Sequence, residues 1–334
     1  MMSKVRLNFA CGLYDRMAPL LSGEVVPEGI DLNFMVNDDP RDVFDRMSSR
    51  AEFDVAELST SEFIQRHVAR DPRFVAIPVF PSRIFRHGLI SINRKSGIRT
   101  AKDLEGKRIG VPLYTMTAAV WIRGHLQHEY GVDLSTITWV EGAINSPGTH
   151  GNPTILPMAR PPRIERNTSS RTVSELLAEG SIDAIIGTRL PSGIRTNPDL
   201  VRLFPDFREI EKDYYRRTRI FPIMHLIAIR RDVYEANPFI ATSLFKAFTQ
   251  AKDVALAKMK SLVYLRYMLP WMTDDLDEID DVFEDGDPWP YGVDANRPTL
   301  EALCDYLHEQ GLIPERPKVD DLFLPVGNVD WQAH

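Results

Sequence analysis

The sequence predicts a two-lobed α/β protein in which one lobe is interrupted by the other. Three observations carry that expectation. Up to about residue 81, short apolar runs alternate with helix-like stretches in a βαβαβ order, which requires a parallel sheet covered by helices. The pattern Leu-Ile-x-Ile-x-Arg then occurs twice, at Leu89–Arg94 and Leu226–Arg231, and reads as a pair of strands beside two crossings between lobes. Between them, DLEGKRIGVPLYTMTAAVWIRGHLQHEYG at 103–131 reads as a strand, a sharp turn and an amphipathic helix. The expected lobes are residues 1–87 with 229–334, and the inserted 88–228. At 334 residues the chain is long for one core and comfortable for two.

Taken in order, KVRLNFA is a first strand, and CGLYDRMAPLLSG a turn and helix. VVPEGIDLNFMV leads into a second strand, and PRDVFDRMSSRAEF into a helix. DVAELSTSEFIQRHVAR supplies a buried strand end and another helix, and FVAIPVFP a further strand. Ligands of such sheets bind beyond the carboxyl ends of the strands, here Cys11–Arg16, Glu57–Ser61 and Pro81–His87. In the 103–131 unit, Pro112 stops the strand because it cannot continue a ladder. Thr115 and Thr117 are candidate N-caps, Ala118, Ile122, Leu126 and Tyr130 recur at helical spacing, and Gly131 ends the helix. Free amides with threonine hydroxyls beside them suit a carboxylate or phosphate. A strand at TITWV, a helix at VSELLAEG and a strand at SIDAIIG complete the inserted lobe, and the helices after residue 233 rejoin the first.

Residues 143–172 are rich in proline, glycine and serine and read as a long irregular loop. Its His150, Arg160, Arg163 and Arg166 suit a lid over an anionic ligand. The acidic run at 274–287 lacks the oxygen ligands of a calcium loop and reads as a solvated helix, with WPYG after it as a packing or oligomer contact.

Composition narrows the function classes. A content of 43% hydrophobic and 26% charged residues is that of a soluble globular protein. A net charge of −7 argues against a general nucleic-acid binder, yet leaves room for a local arginine cluster. The two cysteines, Cys11 and Cys304, do not make a disulfide scaffold, and reduced thiols of a cytoplasmic protein are expected. The N-terminal MMSKVRLNFACG has no apolar signal core, and no run is long enough to span a bilayer, so no membrane partner is expected. DVALAKM and LVYLRYMLPWM offer more apolar surface than one lobe needs, an expectation of a homo-oligomer.

The order of these pieces resembles the type II periplasmic-binding-protein fold, through KDLEGKRIGVP, LLAEGSIDAIIG and the paired crossings. That likeness implies two lobes, a hinge and an interlobe cleft. Within that fold, LNFACGLYDRMAPLLSGEVVPEGIDL, FDVAELSTSEFI, IFRHGLISINRKSGIRTAKDLEGKRIGVP and DPWPYGVDANRPTLEAL resemble the 4,5-dihydroxyphthalate decarboxylases. The resemblance implies a cytoplasmic carboxy-lyase converting a hydroxylated aromatic dicarboxylate, 4,5-dihydroxyphthalate, to 3,4-dihydroxybenzoate and carbon dioxide. The alternative on the same fold is a non-catalytic solute-binding protein or sensor for an aromatic carboxylate, which normally needs an export signal or anchor.

Such a reaction protonates the ring carbon that bears the carboxylate, and a para phenol feeds electron density to that carbon. It needs a general acid, a base for the phenol and cations for the carboxylates, and no redox cofactor. The strand ends offer those groups. Arg86 and Arg189 are expected to bind carboxylates, supported by Arg16 or Arg83, because the planar guanidinium suits a carboxylate. Thr115 and Thr117 would hold a second anionic group, with Tyr14, Ser59 and Tyr114 beside the ligand. His87 and His225 are the expected acid/base pair, either in either role, and Glu57 a third participant. His67, His125, His128 and His308 read as surface residues, and no histidine spacing indicates a protein-held metal.

Overall fold

The first strand shows how this sequence makes its first sheet. In β1 (Val5–Cys11), Leu7, Phe9 and Cys11 enter one apolar cluster while Ala10 enters another, so both faces of the strand are covered. The computed structural model describes residues 4–284 and 286–327. The outermost residues of the expected first lobe, 1–3 and 328–334, and Asp285 of the acidic run lie outside the described residues.

The further strands are β2 (Ile30–Val36), β3 (Val55–Ser59), β4 (Phe74–Arg83), β5 (Ile90–Asn93), β6 (Arg108–Val111), β7 (Thr138–Glu141), β8 (Ile164–Arg166), β9 (Ala184–Ile186), β10 (Leu200–Arg202) and β11 (Ile223–Arg230). The helices are α1 (Ala18–Leu21), α2 (Pro40–Arg50), α3 (Thr60–Val68), α4 (Thr117–His128), α5 (Val173–Glu179), α6 (Phe207–Thr218), α7 (Arg231–Ala236), α8 (Phe239–Lys260), α9 (Met272–Val282) and α10 (Arg297–Glu309).

Two sheets result. The first runs β2-β1-β3-β11-β4 and the second β10-β5-β9-β6-β7-β8. β1 pairs in parallel with β2 and β3, whereas the returning β11 is antiparallel to β3 and β4. The two Leu-Ile-x-Ile-x-Arg runs are therefore not partners. β5 sits in the second sheet and β11 in the first, and they look alike because each is buried on nearly every residue. The chain re-enters the first sheet at Ile223, ahead of the expected boundary at 229, because β11 pairs with β4 from that residue onward.

The two sheets do not have separate cores. One apolar cluster holds Ala56 and Leu58 of β3, Ile109 and Val111 of β6, and Leu303 and Leu307 of α10. The C-terminal α10 lies against α4 of the inserted lobe, with Tyr306 edge-on to Trp121 at 5.5 Å. Gly124 permits that approach, since a methyl group there would overlap the Tyr306 ring. α4 begins at Thr117, and neither of the two threonines expected as N-caps caps it; Met116 holds the N-cap position without a side-chain bond.

The expected irregular loop 143–172 contains β8, which extends the second sheet in parallel with β7. Two further contacts tie the loop down. The Asn152 amide donates to Asp45 Oδ2 of α2 at 2.8 Å, and the Arg160 amide to the Gly311 carbonyl at 2.9 Å. The acidic α9 is solvated and paired through Arg208 and Arg216, as its composition implies. Between α8 and α9, Val263, Met268 and Trp271 project into solvent. Among the described residues, no helix is long and apolar enough to cross a membrane.

Candidate active site

The site is built around Glu57, which the middle of β3 holds in the interior with none of its surface exposed. A carboxylate in that position must be paired or hydrogen-bonded. Four groups do so. Tyr14 donates its hydroxyl to Oε1 at 2.6 Å, and His225 Nδ1 lies 2.5 Å from the same oxygen. Oε2 accepts from the Gly12 amide at 3.2 Å and the Cys11 thiol at 3.3 Å. Burial alone would raise the carboxyl's pKa, but the His225 charge and hydrogen bond, the Tyr14 hydroxyl and the Gly12 amide outweigh it. Glu57 therefore titrates below its ordinary value and is a carboxylate near neutral pH. Burial, and then the Glu57 charge, raises the Tyr14 phenol, which stays neutral and donates.

The topology explains why these groups meet. Tyr14 follows β1, Glu57 lies in the middle of β3, and β11 sets His225 directly opposite Ser59 at the end of β3. With Nδ1 held by a carboxylate, the other ring nitrogen, Nε2, is the exchangeable proton site. The His225 side chain keeps 19% of its surface open and stands edge-on to Phe44 at 4.8 Å between centroids.

Arg16 supports the loop from behind. Its Nε donates to the Pro81 carbonyl at 2.8 Å, and its guanidinium lies 4.4 Å from the centroids of both Tyr14 and Trp289. WPYG is thus a packing contact, closing over Arg16. Ser59 and Thr117 hydroxyls meet each other at 2.9 Å, and the Ser61 amide donates to Thr117 Oγ1 at 3.0 Å. Thr115 contributes its carbonyl, which accepts from Ser61 Oγ at 2.8 Å. These contacts stitch the lobes together and occupy the hydroxyl expected to cap α4.

Beside this seam lies an interlobe cleft of about 420 Å³. Its first-lobe wall carries Asp39, Arg41 and Asp45, and its second-lobe wall His150, Asn152 and Arg189. Arg189 is an exposed residue at the rim. Arg41 also borders a smaller adjoining cavity with Ser59 and Thr115, and its guanidinium lies 5.3 Å from the Phe44 ring centroid. The sequence reading passed over Arg41 and Phe44. The available signal was their place on the helix that follows β2 of the parallel sheet.

Four expected residues are elsewhere. Arg83 is buried and donates to Asn296 Oδ1 and the Pro290 carbonyl, so it organises the C-terminal turn; burial lowers it to about 9. Tyr114 is buried in the second lobe under the Arg123 guanidinium, 3.6 Å from its ring centroid. Arg86 is buried toward Glu211, and burial lowers it to about 10. His87 is stacked on His125 at 4.7 Å and 8°, with Tyr130, Phe204 and Tyr214 around it and no contact to Glu57 or His225. His125, expected at the surface, is fully enclosed because α4 is buried on nearly every side. No group of three or more His, Cys, Asp or Glu side chains among the described residues is arranged to hold a metal ion.

Comparison with known proteins agrees with this architecture. The chain is 38% identical to a 4,5-dihydroxyphthalate decarboxylase of Comamonas testosteroni over 325 residues, covering 97% of this chain and 98% of that one. It is 39% identical over 216 residues to a protein of the same name from Pseudomonas putida, covering 64% of this chain and 83% of that one. No family model matches. Among solved structures, the periplasmic aliphatic sulphonate binding protein SsuA from Escherichia coli superimposes with a TM-score of 0.51 at 11% identity, covering 97% of this chain and 98% of that one. A putative periplasmic sulfonate-binding SsuA from Methylobacillus flagellatus gives 0.50 at 15% identity, covering 97% and 93%. These two establish the two-lobed periplasmic-binding-protein fold.

Proposed function

The chain belongs to the 4,5-dihydroxyphthalate decarboxylase family, and from that premise we propose that it is a carboxy-lyase acting on a hydroxylated aromatic dicarboxylate. The substrate is 4,5-dihydroxyphthalate, and the products are 3,4-dihydroxybenzoate and carbon dioxide. One observation carries the assignment of roles: a fully buried carboxylate, Glu57, holds Nδ1 of a partly open histidine, His225.

The chemistry follows from that pair. Glu57 stabilises the His225 imidazolium and fixes the ring, leaving Nε2 to deliver a proton. The proton bonds to the ring carbon bearing the leaving carboxylate while the para phenol, which gives up its own proton to water as it binds, supplies electron density. The bond to the carboxylate carbon then breaks, its electron pair restores the aromatic ring, and carbon dioxide departs. The phenolate regains a proton, so the net change is one hydrogen for one carboxylate. Tyr14 holds Glu57 in place and Arg16 holds Tyr14. Arg189 draws the anion in from the rim, and residues 149–152 act as the lid that keeps the cleft dry. A cytoplasmic location accords with two free buried thiols, Cys11 and Cys304.

Incubating the protein with 4,5-dihydroxyphthalate in deuterium oxide tests this directly. Equal amounts of carbon dioxide and 3,4-dihydroxybenzoate are expected, with one deuterium on the vacated ring carbon. Tight binding without product would assign the cleft to a receptor instead.

A further inference from the structure

We infer that Arg41 anchors a carboxylate of the substrate and makes the site select dicarboxylates over monocarboxylates. The inference rests on the decarboxylase reading and names the residue that recognises the second anionic group. Arg41 leaves α2 with only 12% of its side chain exposed. Its Nη2 lies 2.6 Å from Asp45 Oδ1, but neither Nη2 nor the buried Nε makes a hydrogen bond of proper geometry. Glu62 turns Oε2 toward Arg41 at 3.8 Å, too long for a hydrogen bond, and gives its Oε1 to Ser48 and Arg66. Arg41 is thus tied to Asp45 by charge, while its Nε and Nη2 make no directed hydrogen bond.

Position gives those undirected donors a meaning. Arg41 is shared by the interlobe cleft and the small cavity beside Ser59 and Thr115. It lies over the Phe44 ring, and the same ring is edge-on to His225. The buried Phe44 ring thus holds the His225 imidazole at one side and the Arg41 guanidinium at another, which places the two within reach of one small aromatic ligand. The cover is specific to this residue as well. Gly151, at φ +70°, brings the loop so close that a side chain there would meet Arg41 Cγ at 2.5 Å, and the next amide is bonded to Asp45. Asp45 therefore compensates the charge of Arg41 and also latches the loop above it.

The test compares wild type with Arg41→Gln and Arg41→Lys. Lysine can still pair with Asp45 but lacks the planar fork, so it keeps the proposal testable if glutamine disturbs folding. Calorimetric affinities for phthalate and benzoate, neither of which bears the phenol that decarboxylation requires, are read beside kcat and KM for 4,5-dihydroxyphthalate. Arg41→Gln is expected to weaken phthalate binding and raise KM by about ten- to a hundredfold, the loss of hydrogen bonds to a charged group. kcat should change far less, and the preference for phthalate over benzoate should shrink by a similar factor; Arg41→Lys should move in the same direction. Unchanged phthalate affinity, or equal losses for both ligands, overturns the assignment. A wild type that binds phthalate but releases no carbon dioxide from 4,5-dihydroxyphthalate defeats the decarboxylase reading and leaves the affinity comparison to judge Arg41 alone.

Discussion

Replacing Glu57 by glutamine is expected to lower turnover by about a hundred- to ten-thousand-fold, the range that positioned acid–base groups supply. Glutamine keeps the shape of the side chain, and its oxygen can still accept from Tyr14 or Gly12. The negative charge beside His225 Nδ1 is lost. The ring then has no counter-charge beside Nδ1 and is no longer held in one orientation. His225→Ala should cost as much, and the double variant little more than either single one, because the two residues act as a unit. Steady-state release of carbon dioxide measures the effect, with thermal melting to confirm that the variants are folded. KM should hardly move. A Glu57→Gln protein with near-native kcat would remove this pair from the chemistry.

Acid sensitivity is the second large effect, and it arises at the His87–His125 stack. Burial, then the Arg217 charge, lowers His87 to about 4, and burial with His87 lowers His125 well below its ordinary value. An imidazole depressed in the folded state stabilises the protein above its unfolded value of 6.5. That stability is lost as pH falls from there toward the folded value, because the unfolded chain takes up the proton first. From pH 7.5 to 5, His87 costs about 2 kcal/mol, and His125 adds a loss in the same direction. Glu211, whose amide partner is Gly88 and whose carboxylate faces His87 Nδ1 at 3.8 Å, works in the opposite direction. Burial raises it to about 7, so it adds about 2 kcal/mol over the same interval as the folded form gains a proton. Urea unfolding at pH 7.5 and pH 5 separates the two contributions. His125→Phe should make the acid loss smaller, and Glu211→Gln should make it larger. Parallel acid losses in wild type and both variants would place the titrating groups elsewhere.

The chain's own pattern revealed the fold well and the site in part. The βαβαβ opening and the interrupted lobe were legible because strands covered on both faces are continuous apolar runs, as in β3, β4 and β11. Tyr14, Glu57 and His225 were accessible for the same reason: each lies near a strand end, where such sheets place ligands. His125 was not, since α4 is buried almost all round and helical spacing then has no exposed face to mark. Thr117 looked like a cap because capping is a local signal, whereas its hydroxyl is taken by Ser59 and Ser61 from a distant part of the sequence. Arg41 reads locally as half of an ordinary surface pair with Asp45, one helical turn away. Only the loop arriving from the other lobe turns that pair inward. Arg83, Arg86 and His87 were adjacent to a strand end too, but the chain turns there, and their side chains go into packing rather than the cleft.

Because Leu58, Val111 and Leu307 belong to a single oily interior, the middle segment is not a cassette that could be lifted out and exchanged for that of a transporter receptor. A graft that swapped residues 88–222 alone would leave Tyr306 and its helix facing water where Trp121 and Gly124 had been. Redesigning ligand choice in this scaffold therefore means carrying the tail helix along with the insert, or changing single side chains at the cleft walls.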